Sequence, residues 1–119
     1  NKKRSSMAYK VVRTRAAVQD LGLIFDHLID SYTSFGEPMS VAIERASVRL
    51  RGIDEDMGSL SKAPYQGTLL PEILDGVRSV TKNNAVFYFL VDDASEEIRV
   101  LAVFFGGQDH RRHMLTRMK

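Results

Sequence analysis

The stretch Ile98–Leu115, IRVLAVFFGGQDHRRHML, decides how the rest of the chain is read. From Ile98 to Phe105 it is apolar at every position except Arg99, so a strand here has no solvent face and belongs inside a sheet. Gly106 and Gly107 break the run, and Gln108 to Met118 restarts as a short terminal helix with Met114, Leu115 and Met118 on one side. Upstream, Ala85–Val91 (AVFYFLV) is also apolar on both faces and gives a second central strand. The link between them, DDASEE, reads as a solvated hairpin turn, because Asp92, Asp93, Glu96 and Glu97 lack the spacing of a calcium loop. Lys82, Asn83 and Asn84 turn the chain before that pair. Ile73–Thr81, with Gly76 near its start, alternates as a half-exposed third strand.

The N-terminal half has a different period. Ala8–Thr14 (AYKVVRT) is β-branched and aromatic and predicts a first strand. Ala17, Val18, Leu21, Ile24, Phe25, Leu28, Ile29 and Tyr32 then follow the spacing of one helix face, with Asp20, Asp26 and Asp30 assigned to the other and His27 to the polar edge. Gly22 inside this helix costs about 1 kcal/mol against alanine, which suggests close approach of a second backbone. A second helix is expected from Glu37 and Pro38, with Ser34 or Glu37 satisfying its free amides. Its stripe is Met39, Ala42, Ile43, Ala46, Leu50, Ile53, Met57 and Leu60. Lys62–Gly67 (KAPYQG) is a loop. The order predicts an α+β fold: an N-terminal strand, an antiparallel helical hairpin, a three-stranded antiparallel meander and a short C-terminal helix, the hairpin covering one face of a small sheet.

Composition bounds the function. The chain has 119 residues, 44% hydrophobic and 27% charged, which fits one folded domain over residues 7–119 and argues against disorder. Asn1–Ser6 reads as a tag or a disordered extension and Met7 as a natural start. There is no cysteine, so disulfides, thiolate nucleophiles and cysteine-ligated zinc are excluded. No apolar run approaches a bilayer span and NKKRSS lacks the core of a signal peptide, so a soluble, cytoplasmic location is expected. The net charge of +2 hides an asymmetry: both ends are basic, and residues 16–107 carry about −7. Arg111, Arg112, Arg117 and Lys119 form the C-terminal basic cluster, most simply a solvated helix face.

Motifs for common chemistries are missing. No GxGxxG or GxxxxGK[ST] loop is present, so a nucleotide cofactor is unsupported and none is expected. GxSxG and HExxH are also absent. His110 and His113 share a helix face beside Asp109, which allows acid–base work, but two histidines without a third ligand do not make a zinc site.

With the element order in place, the chain resembles the RelE/ParE superfamily of bacterial type II toxin–antitoxin toxins, also called plasmid-stabilisation proteins, across Met7–Met118. The residues that carry the resemblance are Ile98–Leu115, similar to the ending of the ParE branch, with Pro64–Gly67 (PYQG) and Arg78 in support. The resemblance implies two possible activities. One branch cleaves mRNA on the ribosome and the ParE-like branch poisons DNA gyrase. Cleavage through a 2′-hydroxyl needs a base, cationic clamps on the phosphate and an acid for the leaving oxygen. The ribonuclease branch typically has Arg or Lys at the exit of the last strand and a Tyr or His near the C-terminus. Here that exit is Phe104, Phe105, Gly106, Gly107 and Gln108, and the last tyrosine, Tyr88, lies inside a strand.

The resemblance therefore implies a gyrase inhibitor that acts by binding and is neutralised by a ParD-like antitoxin. Gln108, Asp109, Arg111, Arg112, Met114 and Arg117 are its candidate target contacts. The alternative is a ribosome-dependent endoribonuclease using Arg78 and Lys82 as phosphate clamps with His110 and His113 as acid and base. A degenerate member that keeps only antitoxin binding is a third reading.

Overall fold

A computed structural model describes residues 8–106 and 109–118. In chain order the elements are β1 (Lys10–Arg13), α1 (Arg15–Ser34), α2 (Met39–Gly58) with a 3₁₀ turn (Ser59–Lys62), β2 (Thr68–Leu69), β3 (Arg78–Lys82), β4 (Ala85–Asp92), β5 (Glu97–Phe105) and α3 (His110–Arg117). The strands form one sheet in the order β1-β5-β4-β3-β2. β2 through β5 pair antiparallel, while β1 pairs parallel to β5 with Lys10 opposite Glu97 and Arg13 opposite Val100. The sheet is thus mixed. β1 and β5 are joined through α1, α2 and β2–β4, a connection long enough for the parallel pairing that a tight hairpin could not make.

The two central strands are buried on both faces, and two cores flank them. On one face Phe87, Phe89, Ile98, Val100 and Val103 pack against Ala17, Leu21, Ile24 and Leu28 of α1 and Ala46, Ile53 and Met57 of α2. On the other, Tyr88, Val86, Ala102 and Phe104 pack against Met114 of α3 and against Leu70, Ile73 and Val77. The apolar excess of β4 and β5 is therefore taken up by a second core. A register shift at Tyr88/Phe89 opposite Val100–Ala102 makes Leu101 an extra residue in β5, and it allows Val100 and Val103 to face α1 while Ala102 and Phe104 face α3.

Four local expectations change. The strand expected over Ile73–Thr81 begins only at Arg78: Leu70–Val77 instead folds as turns, with Leu70 and Val77 closing through a 2.9 Å backbone bond. Pro71 cannot donate to a ladder, and Gly76 adopts φ 83°, which no strand uses. An additional strand, β2, lies where only loop was expected. Gly67 admits it, because at φ 84° a Cβ would sit 2.3 Å from the Ser79 carbonyl oxygen. The N-terminus of α2 has no side-chain cap, and Glu37 pairs with Arg45 instead. Asp20, expected on the polar face of α1, is buried.

Gly22 also departs from its reading, since nothing lies within 4 Å of where its Cβ would be. Its cost is purely conformational, so Gly22→Ala is expected to raise stability by about 0.5–1 kcal/mol. Urea denaturation with an unchanged m-value would register this, and a loss of stability would show that the site is tighter than it looks.

At the far end of the sheet, Asp93 in the β4–β5 turn accepts hydrogen bonds from Tyr9, at 2.8 Å, and from Tyr65. Those two hydroxyls hold Asp93 below the usual carboxylate range, while Asp93 pushes both phenols up. The signs are opposite. The contribution of Asp93 is present above its unfolded pKa and lost as pH falls through the depressed folded value. That of the tyrosines is present at neutral pH and lost as pH climbs through their raised folded values. Asp93→Asn is therefore expected to flatten the acid limb of a melting-temperature profile against pH, and an unaltered limb would refute the coupling.

Candidate functional site

The residues proposed from sequence for phosphate chemistry do not share a face. Across β3 and β4, Arg78 opposes Phe89, Val80 opposes Phe87 and Lys82 opposes Ala85, all on the α1/α2 side. Tyr88 points to the other side, where α3 lies. The sheet thus separates Arg78 and Lys82 from His110 and His113. Arg78 is also engaged: it donates to the Tyr65 carbonyl at 2.6 Å and its guanidinium lies 5.4 Å from the centre of the Tyr65 ring.

The two histidines have separate tasks. The hydroxyl of Tyr88, a fully buried residue, and Nδ1 of His110 are 2.7 Å apart. Burial raises the Tyr88 phenol, so it remains protonated and can donate to the imidazole. His113 stacks on Phe104 with ring centres 6.0 Å apart. Phe104 also meets Tyr88 edge-on at 5.9 Å. The glycine–phenylalanine exit of β5 is thus an aromatic platform under α3.

Asp109 caps α3 by accepting the Arg112 N–H at 3.4 Å and pairs loosely with the Arg112 guanidinium. Arg111 and Arg112 are exposed. Met114 is fully buried in the second core, so it anchors the helix and presents no target-facing surface, contrary to its placement among the contact candidates. Gln108 lies outside the described residues.

Arg117 makes the contact that sequence reading missed. It forms a two-pronged pair with Asp20, Nη1 to Oδ2 at 3.0 Å and Nη2 to Oδ1 at 2.9 Å. The same carboxylate accepts the Val103 N–H at 2.9 Å, and Nη1 of Arg117 reaches the Leu101 carbonyl at 3.3 Å. Asp20 holds the guanidinium pKa above its ordinary value despite partial burial. This network ties α1, the bulged part of β5 and α3 together. The signal for it lay in the spacing: Asp20 is three residues after Ala17 and four before Ile24, which puts it on the apolar stripe and requires a partner.

Around the network runs a groove of about 580 Å³, with walls formed by Leu23, Ile24 and His27 of α1, by Phe104 and Phe105 of β5, and by His113 and Arg117 of α3. Among the described residues no group of three or more His, Asp or Glu is placed to hold a metal ion. None of the described helices is long and apolar enough to cross a membrane.

No family model matches the sequence, and no curated protein matches it. Solved structures do. The chain superimposes on a chain of the chromosomal ParDE toxin–antitoxin system from P. aeruginosa with a TM-score of 0.62 and 25% identity, over 82% of this chain and 96% of that one. The fold is that of the RelE/ParE superfamily of toxins. A chain of the toxin–antitoxin complex RelBE2 from Mycobacterium tuberculosis shares the RelE/ParE architecture at a TM-score of 0.55 and 21% identity, over 91% of this chain and the whole of the other. The first of these neighbours comes from a toxin–antitoxin system, which supports a toxin role for the chain.

Proposed function

We propose that this chain is the toxin of a type II toxin–antitoxin pair, that it inhibits DNA gyrase by binding, and that a ParD-like antitoxin neutralises it. The observation that carries the choice of branch is the separation of Arg78 and Lys82 from His110 and His113 by the full thickness of the sheet. A general acid and base must reach the same phosphate as its cationic clamps, within hydrogen-bond distance or through one water. The exit of β5 is built for packing, with Phe104 between Tyr88 and His113. A poison of gyrase needs no chemistry of its own, because gyrase makes and reseals the DNA break. Exposed Arg111 and Arg112 beside Asp109 are the contact surface assigned to that target.

The ribonuclease reading has one observation in its favour, the Tyr88–His110 hydrogen bond, which pairs two groups able to move a proton. Complete burial of Tyr88 argues against it.

Parallel assays separate the two. The purified protein is added to gyrase in supercoiling and DNA-cleavage reactions, and to ribosomes programmed with mRNA. Gyrase-dependent double-strand breaks are expected. Site-specific mRNA cuts lost in His113→Ala would overturn the proposal in favour of the nuclease, and silence in both assays would leave a chain that only binds antitoxin.

A further inference from the structure

Helix α2 carries two stripes. Ala42, Ala46, Ile53 and Met57 make the buried one. Along another side Val41, Arg45, Val48, Gly52 and Glu55 recur at alternating four- and three-residue steps, the spacing of a seam between helices. Val48 is 55% exposed, Val41, Arg45 and Glu55 are exposed as well, and nothing lies within 4 Å of where a Gly52 Cβ would be. No element of the described chain is therefore packed over this seam. Val48 stands between two hollows. The one on its C-terminal side, of about 330 Å³, is lined by Arg49, Gly52, Ile53, Glu55, Asp56 and Asn83. The one on its N-terminal side, of about 350 Å³, is bounded by Glu44, Arg45 and Tyr32. Charge is segregated along the same line, with Arg45 and Arg49 towards the start of the helix and Glu55 and Asp56 towards its end. Among the described residues Glu55 makes no ion pair.

We propose that this seam docks on the same seam of a second copy of the chain, as an antiparallel pair of α2 helices. The inference stands apart from the toxin reading. With the two-fold axis level with Leu50, Val48 of each copy meets Gly52 of the other and enters the hollow that the missing side chain leaves, a knob in a hole. The same axis sets Arg45 of each copy against Glu55 of the other. A parallel approach would bring Arg45 against Arg45 instead. The knob, the hole and the reversed charges are one set of residues seen from either copy, which is what an isologous interface requires. Arg45 is also held ready for the contact: its guanidinium lies 4.3 Å from the centre of the Tyr32 ring and pairs with Glu37, yet about half of the side chain remains exposed. Holding it in place before docking reduces the entropy lost on association.

Sedimentation equilibrium of the isolated chain tests this. Dimers are expected at about 100 μM. Arg45→Glu and Glu55→Arg are each expected to weaken self-association about tenfold, because each sets like charges opposite one another at both symmetric positions. An equimolar mixture of the two variants is expected to return to within about twofold of the parent, since one copy then carries acid at both positions and the other carries base. A variant that merely folds badly would not be rescued in this way. A parent chain that stays monomeric at about 1 mM, single variants that associate like the parent, or a mixture no tighter than the single variants would each overturn the proposal.

A second comparison uses two helical glycines whose Cβ positions are equally free, Gly52 on α2 and Gly22 on α1. Gly52→Leu fills the hollow that receives Val48 and is expected to weaken association about tenfold, with no fall in the melting temperature of the dilute monomer. Gly22→Leu is expected to leave association within about twofold of the parent. The reverse ranking would place the contact on α1 and overturn the proposal. A monomeric parent whose complex with a co-expressed antitoxin is weakened by Arg45→Glu would overturn it too, and would give the seam to that partner.

Discussion

Asp20→Ala is expected to cost about 3–5 kcal/mol of folding stability, as is usual when one partner of a buried ion pair is removed. The substitution strands two groups. The Val103 N–H, on a stretch of β5 with no neighbouring strand on that side, loses its acceptor, and Arg117 loses its counter-charge. Asp20 is 5% exposed, so water cannot readily replace the carboxylate. Arg117→Ala is expected to cost less, because its side chain remains 30% exposed and part of its charge is already solvated. Asp20→Asn keeps an acceptor for Val103 and should fall between the two. Urea denaturation of the three variants and of the Asp20→Ala/Arg117→Ala double variant measures the coupling. Additive single and double losses would mean that the pair carries no joint energy.

The second large effect is expected at Met114→Ala, at about 2–4 kcal/mol. Met114 is the only residue of α3 that is fully buried, and it packs in the second core with Tyr88, Ala102 and Phe104. An eight-residue helix is too short to persist in water unaided, so α3 depends on this anchor, on the Tyr88–His110 bond and on Arg117. If the loss is concentrated in α3, hydrogen exchange in Arg112–Arg117 will quicken more than in β4. If β4 and α3 quicken equally, α3 and the sheet open as one unit. In the gyrase assay proposed above, the same variant tests whether inhibition requires a seated helix.

Much of this architecture could be read from periodicity. Ala85–Val91 and Ile98–Phe105 announce central strands because nothing polar interrupts either face, and the stripes Ala17–Tyr32 and Met39–Leu60 announce the hairpin. The readings that failed share a cause. Val77 and Ser79 alternate with Arg78 and Val80 and extend a strand reading back to Ile73, yet Leu70, Ile73 and Val77 are buried by turns that Pro71 and Gly76 impose, and local pattern does not distinguish those two uses of apolar residues. Residue type alone places Asp20 in solvent, although its position lies on the stripe. What decides its burial is Arg117, 97 residues later, and no window of sequence contains both.

The site divides in the same way. The aromatic exit of β5 was legible from Phe104 and Phe105 themselves. The separation of Arg78 and Lys82 from the histidines was not, because it depends on the exact register of β3 against β4. Burial of Met114 was hidden for a related reason: a short amphipathic helix shows which side is apolar but not whether a sheet lies beneath it.

The parallel partnership of β1 with β5 has a consequence for how the chain comes into being. Thr14 is held to the Val100 carbonyl across 86 residues, so β1 cannot find its place until β5 is made. A nascent chain carries β1 unmatched until β5 has left the ribosome, and closing so long a loop slows folding. Until then the unpaired strand is exposed to mispairing and aggregation.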